Sequence, residues 1–403
     1  MTYIEFFDKT YIENICVSLL KTPDRIILVG GDTRMLSRHI TVYDEIFKAR
    51  GHNVLFEKRA VNRYNLAGIV EVLEAIVNTY EDCHFDLTGG DDLYLTAMGI
   101  VFERYREKNI NMHKYSITAD KLIDFDANGE IISYDGLPMW TVSENIRLYG
   151  GKVLGADFRK EDCTLFDEAL RKDIDSLWKI CSADSKKWNS NIGKMERLVK
   201  NAVDKSEKLS FSVIPKQIAD ENADGDLSVF FGSLISQGLI EKVTDERKVT
   251  IRYKNAYVKS CLENSGKILE LKTFLLAGDL KDENSRDLYT DIMSGVTVDW
   301  DGITDPDVPN IENEVDLILM HGMVPVFVSC KNGYVSVEEL YKLNAVAECL
   351  GGHYAKKYLI AGSSENISKA TKLRASELNI SMIANVHKLS DKEFSEKISF
   401  FCK

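Results

Sequence analysis

The sequence predicts an α/β protein in three parts: an N-terminal Rossmann-like domain, a helical and winged-helix-like connector, and a C-terminal α/β domain. Short apolar runs alternate with helical patterns at the start of the chain, helical segments with few breakers follow, and β-branched runs flank a glycine turn near the end. The 403 residues, 44% of them hydrophobic, are enough for about two or three cores. We place the three parts at residues 1–150, 151–262 and 263–403.

The first part alternates strands with helices. Apolar runs at residues 25–31, 53–57 and 83–87 are typical of buried strands, and each is followed by apolar residues at helical spacing. The short connections predict a parallel sheet with helices on both faces. Such sheets bind ligands beyond the carboxyl ends of their strands. Further on, Asn128-Gly129 predicts a hairpin turn.

Two glycine-containing turns lie at that edge of the predicted sheet. Gly30-Gly31-Asp32-Thr33 and Thr88-Gly89-Gly90-Asp91 each follow a predicted strand. Glycines let the backbone approach a phosphate, and free N–H groups at the start of a helix attract anions. Neither turn is a Walker motif or a Gly-x-Gly-x-x-Gly fingerprint. The turns either bind an anion or only connect a strand tightly to a helix.

The connector has two segments. Residues 163–203 show a helical pattern, and residues 206–262 have the pattern of a small winged-helix module. A winged helix can bind DNA, but the predicted recognition helix at residues 226–238 contains two phenylalanines and no lysine or arginine. This composition favours a structural spacer over a sequence-specific DNA reader.

The C-terminal part contains a predicted strand pair around His321-Gly322-Met323. With the turn centred there, Asp316 lies across the pair from Ser329 or Lys331, and side chains that face each other share one face of the sheet. Burying an acid and a base costs several kcal/mol unless they pair or meet a metal ion. The residues are therefore either a structural ion pair or part of a site.

A helix at residues 266–278 precedes this strand pair. Glu270 lies on its apolar stripe, at helical spacing from Phe274 and Ala277. The loop before the strand pair contains further acidic residues, which either reach a metal ion or are solvated: Asp305, Asp307, Glu312 and Glu314.

Composition narrows the functional classes. The net charge of −12 argues against a constitutive nucleic-acid binder with a wide basic surface, but not against an enzyme with a locally basic cleft. No run approaches the ~18–20 apolar residues that span a bilayer, and the N-terminus lacks a signal-peptide pattern, so we expect no membrane partner and a cytoplasmic location. The eight scattered cysteines form no Cys-x-x-Cys pair and indicate reduced thiols rather than a zinc site.

The segment from Glu314-Val315-Asp316 through Ser329-Cys330-Lys331 resembles the PD-(D/E)xK nuclease signature. More narrowly, it resembles the restriction-endonuclease-like domain of CARF-containing effectors of type III CRISPR defence, the Card/Can group, with Ser329 where the broad signature has an acidic residue. The resemblance implies the catalytic residues Glu270, Asp316, Ser329 and Lys331. It also implies a Mn²⁺ or Mg²⁺ ion held by Glu270, Asp316 and the Cys330 carbonyl.

The run Asp86-Leu87-Thr88-Gly89-Gly90 resembles the ligand turn of CARF domains, and the resemblance covers roughly residues 1–150 and 263–403. It implies a homodimer that binds a cyclic oligoadenylate, expected to be the tetra-adenylate, as activator. The residues that it assigns to this ligand are Gly30, Gly31, Asp32, Thr33, Arg34, Thr88, Gly89, Gly90 and Asp91.

The function that follows from the resemblance is a cyclic-oligoadenylate-activated, metal-dependent endonuclease that cleaves DNA, RNA or both in type III CRISPR antiviral defence. The alternative is a non-enzymatic, ligand-responsive DNA-binding transcription regulator that uses residues 206–262. A third possibility is a CARF domain that also degrades its own ligand. The sequence leaves the ring size and the choice between DNA and RNA open.

Overall fold

The computed structural model describes residues 1–117, 119, 121–125, 131–135, 140–161, 167–302 and 312–402, with residues 131–135 and 402 described by their backbone. In these ranges the strands are β1 (Thr2–Phe6), β2 (Arg25–Gly30), β3 (Leu55–Ala60), β4 (Cys83–Asp86), β5 (Asn111–Ser116), β6 (Lys121–Phe125), β7 (Ile131–Asp135), β8 (Lys152–Gly155), β9 (Phe158–Arg159), β10 (Ser210–Val213), β11 (Ile240–Thr244), β12 (Val249–Tyr253), β13 (Asp291–Asp299), β14 (Glu312–His321), β15 (Val324–Lys331), β16 (Lys356–Ala361) and β17 (Ser381–Ile383). The α-helices are α1 (Cys16–Lys21), α2 (Thr33–Ala49), α3 (Leu66–Thr79), α4 (Asp92–Arg104), α5 (Val142–Leu148), α6 (Glu168–Ala183), α7 (Ser185–Lys200), α8 (Pro215–Glu221), α9 (Asp226–Ser236), α10 (Ala256–Glu263), α11 (Lys267–Asp279), α12 (Val337–Gly351), α13 (Lys369–Glu377) and α14 (Asp391–Ser399).

The N-terminal sheet has the strand order β3-β2-β1-β4-β5-β6-β7. Strands β1 to β5 pair in parallel, and β6 and β7 extend one edge in antiparallel fashion. Apolar residues of α1 and α2 pack on one face of this sheet, and those of α3 and α4 on the other. The predicted α/β class is therefore confirmed. The turn predicted at Asn128-Gly129 lies outside the described residues, although its flanking strands β6 and β7 do pair.

The central strand β1 was not predicted from the sequence. All five of its residues are buried, and it pairs with β2 on one side and β4 on the other. A carboxylate interrupts its apolar pattern: Glu5 is 1% exposed and accepts a hydrogen bond from Ser18 Oγ. Burial raises the pKa of Glu5 well above its usual range, which favours the neutral form of this side chain. A search for continuous apolar runs does not detect β1, because Glu5 interrupts its apolar residues.

The connector contains the helices α6 and α7 and a small antiparallel sheet of order β10-β12-β11. Helix α9, predicted to be the recognition helix, buries Leu227, Phe230, Phe231 and Leu234 in the connector core. These four side chains pack inward, whereas Val229 and Ile235 of the same helix are exposed.

The C-terminal sheet has the order β17-β16-β15-β14-β13-β8, with β9 also pairing with β13. Strands β13 to β15 are antiparallel, and β15 to β17 are parallel. The predicted hairpin turns at Gly322, whose φ of +54° suits a tight two-residue loop. The predicted boundary at residue 151 assigned residues 152–159 to the connector. Strands β8 and β9 pair with β13, so these residues belong to the C-terminal sheet instead.

Two helices cover opposite faces of the C-terminal sheet. Helix α11 packs on the face that carries Leu317 and Val326, and α12 packs on the face that carries Ile318 and Phe327. Helix α5 joins the two sheets because it contacts both α2 and α12. In the described part of the chain, every helix is too short or too polar to cross a bilayer.

Candidate active site and ligand pocket

Asp316 in the middle of β14 meets Ser329 and Lys331 at the end of β15, as the hairpin register predicts. Asp316 Oδ2 accepts hydrogen bonds from Ser329 Oγ at 3.1 Å and from the Cys330 N–H at 2.7 Å. Lys331 Nζ lies 3.5 Å from the same oxygen. The carboxylate is thus fixed by two donors and a cation, so its orientation does not depend on solvent.

Glu270 approaches this group from the opposite face of the sheet, on the first turn of α11. It is 6% exposed, and its Oε2 lies 2.7 Å from Lys267 Nζ. Lys267 in turn contacts Asp157 Oδ2 at 2.5 Å. Burial, and next the charge of Asp316, raise the pKa of Glu270 to about 7. A buried carboxyl group whose pKa is raised by burial and by a neighbouring carboxylate is a feature of functional sites.

These residues border one open pocket of about 530 Å³. Its walls include the predicted residues Glu270, Asp316, Ser329, Cys330 and Lys331. They also include Glu312 and Glu314, which were predicted to lie in the acidic loop but belong to β14. The other two acids of that loop, Asp305 and Asp307, lie outside the described residues. The structure therefore brings all four predicted catalytic residues to one cavity.

Three further residues, two in the pocket wall and one paired with Glu270, were missed by the sequence analysis. Lys267 lies three residues before Glu270 on the same helix, a spacing that was visible in the sequence. Glu339 lies on α12, and its Oε2 is 3.1 Å from Lys331 Nζ. Asn332 is 2% exposed, and its Nδ2 donates to the carbonyl of Ser265 at 2.7 Å. Sequence periodicity does not reveal the last two contacts because they join distant elements.

Lys331 is a cation held between two carboxylates. Burial opposes its charge, but Asp316 and Glu339 outweigh burial and raise its pKa. The ammonium therefore stays protonated and faces the pocket at neutral pH.

The chemistry of the predicted metal ligands can be compared with what a divalent cation prefers. Among the described side chains, no group of three or more His, Cys, Asp and Glu residues is spaced to hold a metal ion. The predicted set, however, needs two carboxylates and one main-chain carbonyl. The Cys330 thiol is not a suitable ligand, because burial raises its pKa well above the usual range. Glu270 and Asp316 are hard oxygen donors of the kind that Mg²⁺ and Mn²⁺ prefer.

A second pocket, of about 910 Å³, lies at the carboxyl ends of β1, β2 and β3. It is lined by Phe7, Asp8, Lys9, Gly31, Asp32, Met35, Ala60, Val61, Asn62, Arg63, Tyr64, Asp91 and Tyr94. This is where the strand order of the sheet changes direction, because the chain passes from β1 to β2 and β3 on one side and later to β4 on the other.

The structure divides the predicted ligand residues into two sets. Gly31, Asp32 and Asp91 line the pocket, and Thr33 and Arg34 begin α2 beside it. The others contribute to the framework. Gly30 is buried in β2, the Thr88 hydroxyl accepts a hydrogen bond from the Tyr115 N–H, and Gly89 and Gly90 pack against Asp8 and Phe6 respectively.

Basic residues missed by the sequence analysis offset the acids of this pocket. Arg63 Nη2 lies 2.8 Å from Asp91 Oδ2, and Lys9 lines the same cavity. Asp8 accepts hydrogen bonds from the N–H groups of Gly90 at 3.0 Å and Thr10 at 2.6 Å. Because the loops after β1 and β3 supply these residues, only knowledge of the strand order would have placed them together.

No protein-family profile matches the chain, and no curated protein matches it either. Two solved structures share its architecture over nearly the whole length. Protein VC1899 from Vibrio cholerae has a TM-score of 0.76 at 14% sequence identity, over 99% of this chain and 97% of that one. Can2 from Sulfobacillus thermosulfidooxidans, solved in complex with cyclic tetra-adenylate, has a TM-score of 0.66 at 14% identity, over 100% of this chain and 99% of that one.

The chain has the Can2 fold. The resemblance to the Card/Can group drawn from the sequence is thus confirmed at the level of the fold. Within the Can2 fold, the pocket with Lys9 and Arg63 lies on the N-terminal sheet, and the pocket with Asp316 and Lys331 lies on the C-terminal sheet.

Proposed function

We propose that the chain is a cyclic-oligoadenylate-activated, metal-dependent nuclease of type III CRISPR defence. The observation that carries the proposal is the convergence of Glu270, Asp316 and Lys331 on one pocket, in a chain with the fold of a protein that was solved with cyclic tetra-adenylate. An ion pair that only stabilised the sheet would not need a second buried acid with a raised pKa.

Glu270, Asp316 and the Cys330 carbonyl would hold Mn²⁺ or Mg²⁺. In a β-strand, the N–H and the carbonyl of one residue point toward the same neighbouring strand. The Cys330 N–H donates to Asp316 on β14, so the Cys330 carbonyl should also point toward β14. Such an ion polarises a scissile phosphate and lowers the pKa of an attacking water. Lys331 would offset the negative charge that develops on the phosphate, and Ser329 keeps Asp316 oriented.

The N-terminal pocket would bind the activator. Lys9 and Arg63 supply positive charge for phosphate groups. The N–H groups of Arg34 and Met35 at the start of α2 already donate to Asp32 Oδ1, so the helix start does not offer these two donors to an anion. We propose a homodimer in which two such pockets face one symmetric ring. Cyclic tetra-adenylate is the ring proposed for this chain.

A nuclease assay tests the proposal. Single- and double-stranded DNA and RNA are incubated with Mn²⁺ or Mg²⁺, with and without cyclic oligoadenylates of different ring size. We expect cleavage that requires both the metal and one ring, and that stops when a chelator is added. A ligand-dependent gel shift without cleavage would instead support a DNA-binding regulator. Chromatography of the ring after incubation shows whether the protein also degrades it.

We predict that Arg63→Ala weakens ring binding by about tenfold or more, because it removes a phosphate donor and leaves the Asp91 carboxylate without its partner. Adding Asp91→Asn to this variant should recover part of the affinity, since the unpaired charge is then gone. Calorimetric titration with cyclic tetra-adenylate measures both. Arg59→Ala is the matched control, because Arg59 lies on β3, just before the loop that carries Arg63, and pairs with Glu57. Equal losses for Arg63→Ala and Arg59→Ala would contradict the assignment.

A further inference from the structure

Helix α12 extends away from the candidate active site. Its first turn carries Glu339, whose Oε2 lies 3.1 Å from Lys331 Nζ, whereas Asp316 Oδ2 lies 3.5 Å from the same nitrogen. The 15 residues of the helix span about 22 Å at 1.5 Å per residue. The pocket lysine is therefore in direct contact with a helix whose other end lies far from the site.

The far end of α12 is held by residues of the N-terminal part of the chain. Asn145 of α5 is 1% exposed, and its Nδ2 donates to the carbonyl of Leu350 at 2.8 Å. This carbonyl is one of those that a helix end leaves without an intrahelical partner. A Cβ on Gly352, which has a φ of +64°, would overlap the Tyr149 hydroxyl. This close packing leaves little room for α12 to shift independently of α5.

A hydrogen bond joins this end of α12 to the loop that follows β1. The Tyr354 hydroxyl, three residues past the helix, donates to Glu13 Oε1. The contact joins residues 341 positions apart in the chain. It is the point where the C-terminal part touches the loop that supplies Asp8 and Lys9 to the N-terminal pocket.

The loop after β1 is braced internally. The Asn14 side chain accepts from the Asp8 N–H at 3.1 Å and donates to the Asp8 carbonyl at 3.1 Å. Asp8 itself accepts from the Gly90 N–H at 3.0 Å. Glu13 and Asp8 therefore belong to one braced loop.

We propose that α12 couples the two pockets. Glu13 and Tyr354 transmit a change at the ligand pocket to the far end of the helix, and Glu339 is a positioning residue that transmits it to Lys331. This inference rests on the proposed function, because it assigns regulation to the same active site. A packed helix suits the role, since cores and interfaces shift between discrete arrangements rather than deforming continuously.

The first test is Tyr354→Phe, which removes only the hydroxyl. Affinity for cyclic tetra-adenylate should stay within about twofold of the unmodified protein. The ratio of cleavage rates with and without the ring should fall by about tenfold or more, because a coupling of typical size is lost. Tyr341→Phe is the matched control, since Tyr341 is an exposed tyrosine of α12 itself. This variant should keep the full ratio of cleavage rates. A full ratio in Tyr354→Phe overturns the proposal, whereas an unmodified protein that does not cleave when the ring is present contradicts the proposed function instead.

The second test is Glu339→Gln, with Glu338→Gln on the exposed side of the same turn as control. We expect kcat to fall by about tenfold in Glu339→Gln, with KM and melting temperature as in the control, because the ammonium loses its anchor but the fold does not. The double variant Glu339→Gln/Tyr354→Phe should lower the ring-activated cleavage rate by less than the product of the two single fold-losses, because both substitutions act on one pathway. An unchanged or increased kcat, or fully multiplicative losses, would overturn the role of Glu339.

Discussion

Lys331→Ala is expected to lower the ring-activated cleavage rate by about 10²–10³-fold, because it removes a preorganised positive charge from the pocket. Lys331 Nζ lies 3.5 Å from Asp316 and 3.1 Å from Glu339, so the loss also leaves two carboxylates without their shared cation. Ring binding should not change, since Lys331 lies in the C-terminal pocket and the ring would bind in the N-terminal one. Single-turnover cleavage and calorimetric titration of the ring measure the two effects separately.

Lys357→Ala is the matched control for this experiment. Lys357 is also a shielded lysine of the C-terminal sheet: its side chain is 10% exposed, and it donates to Asn344 Oδ1 at 2.6 Å. It lies on the neighbouring strand β16, outside the candidate active site. Lys357→Ala should therefore retain cleavage within a few-fold. Full cleavage by Lys331→Ala would remove Lys331 from the mechanism.

Glu270→Gln is expected to stabilise the protein and to inactivate it. The pKa of Glu270 is raised to about 7 by burial and by Asp316. The folded state therefore holds this proton more tightly than the unfolded chain, whose glutamate pKa is about 4.3. The resulting stabilisation is fully present below the unfolded pKa and is lost as the pH rises through about 7. At pH 8 the ionised Glu270 side chain destabilises the folded state, so we expect Glu270→Gln to raise the free energy of unfolding by about 1–3 kcal/mol.

The same substitution should reduce Mn²⁺ affinity and lower the cleavage rate by about 10²-fold or more, because an amide oxygen is a weaker ligand than a carboxylate. Lys267 keeps a partner in the variant, since Asp157 Oδ2 lies 2.5 Å from its Nζ. Denaturant unfolding at pH 5 and pH 8 and calorimetric titration with Mn²⁺ are the measurements. Glu71→Gln, in an exposed position of α3, is the control and should change neither quantity.

The two outcomes of Glu270→Gln distinguish a functional carboxylate from a structural one. If Glu270 served only as the partner of Lys267, Glu270→Gln would lower the free energy of unfolding and leave the cleavage rate unchanged. Greater stability with lost activity is the pattern expected where a site keeps a charge that the fold itself does not favour.

Local sequence patterns were enough to predict the alternation of strands and helices, the hairpin at Gly322, and the cluster of Asp316, Ser329 and Lys331. These features follow from local geometry, because a period of two and a short turn decide which side chains of two neighbouring strands share a face. The burial of Glu270 was likewise visible from helical spacing within one segment.

The remaining features of the two pockets depend on the packing of distant elements. Strand β1 contains the buried carboxyl of Glu5. Its central position in the sheet depends on its pairing with β2 and β4. The pairing of Arg63 with Asp91 and of Glu339 with Lys331 joins side chains of different elements. The raised pKa of Glu270 likewise depends on how α11 packs against β14. Such contacts are set by how whole elements pack against one another, and a periodicity within one segment carries no information about that packing.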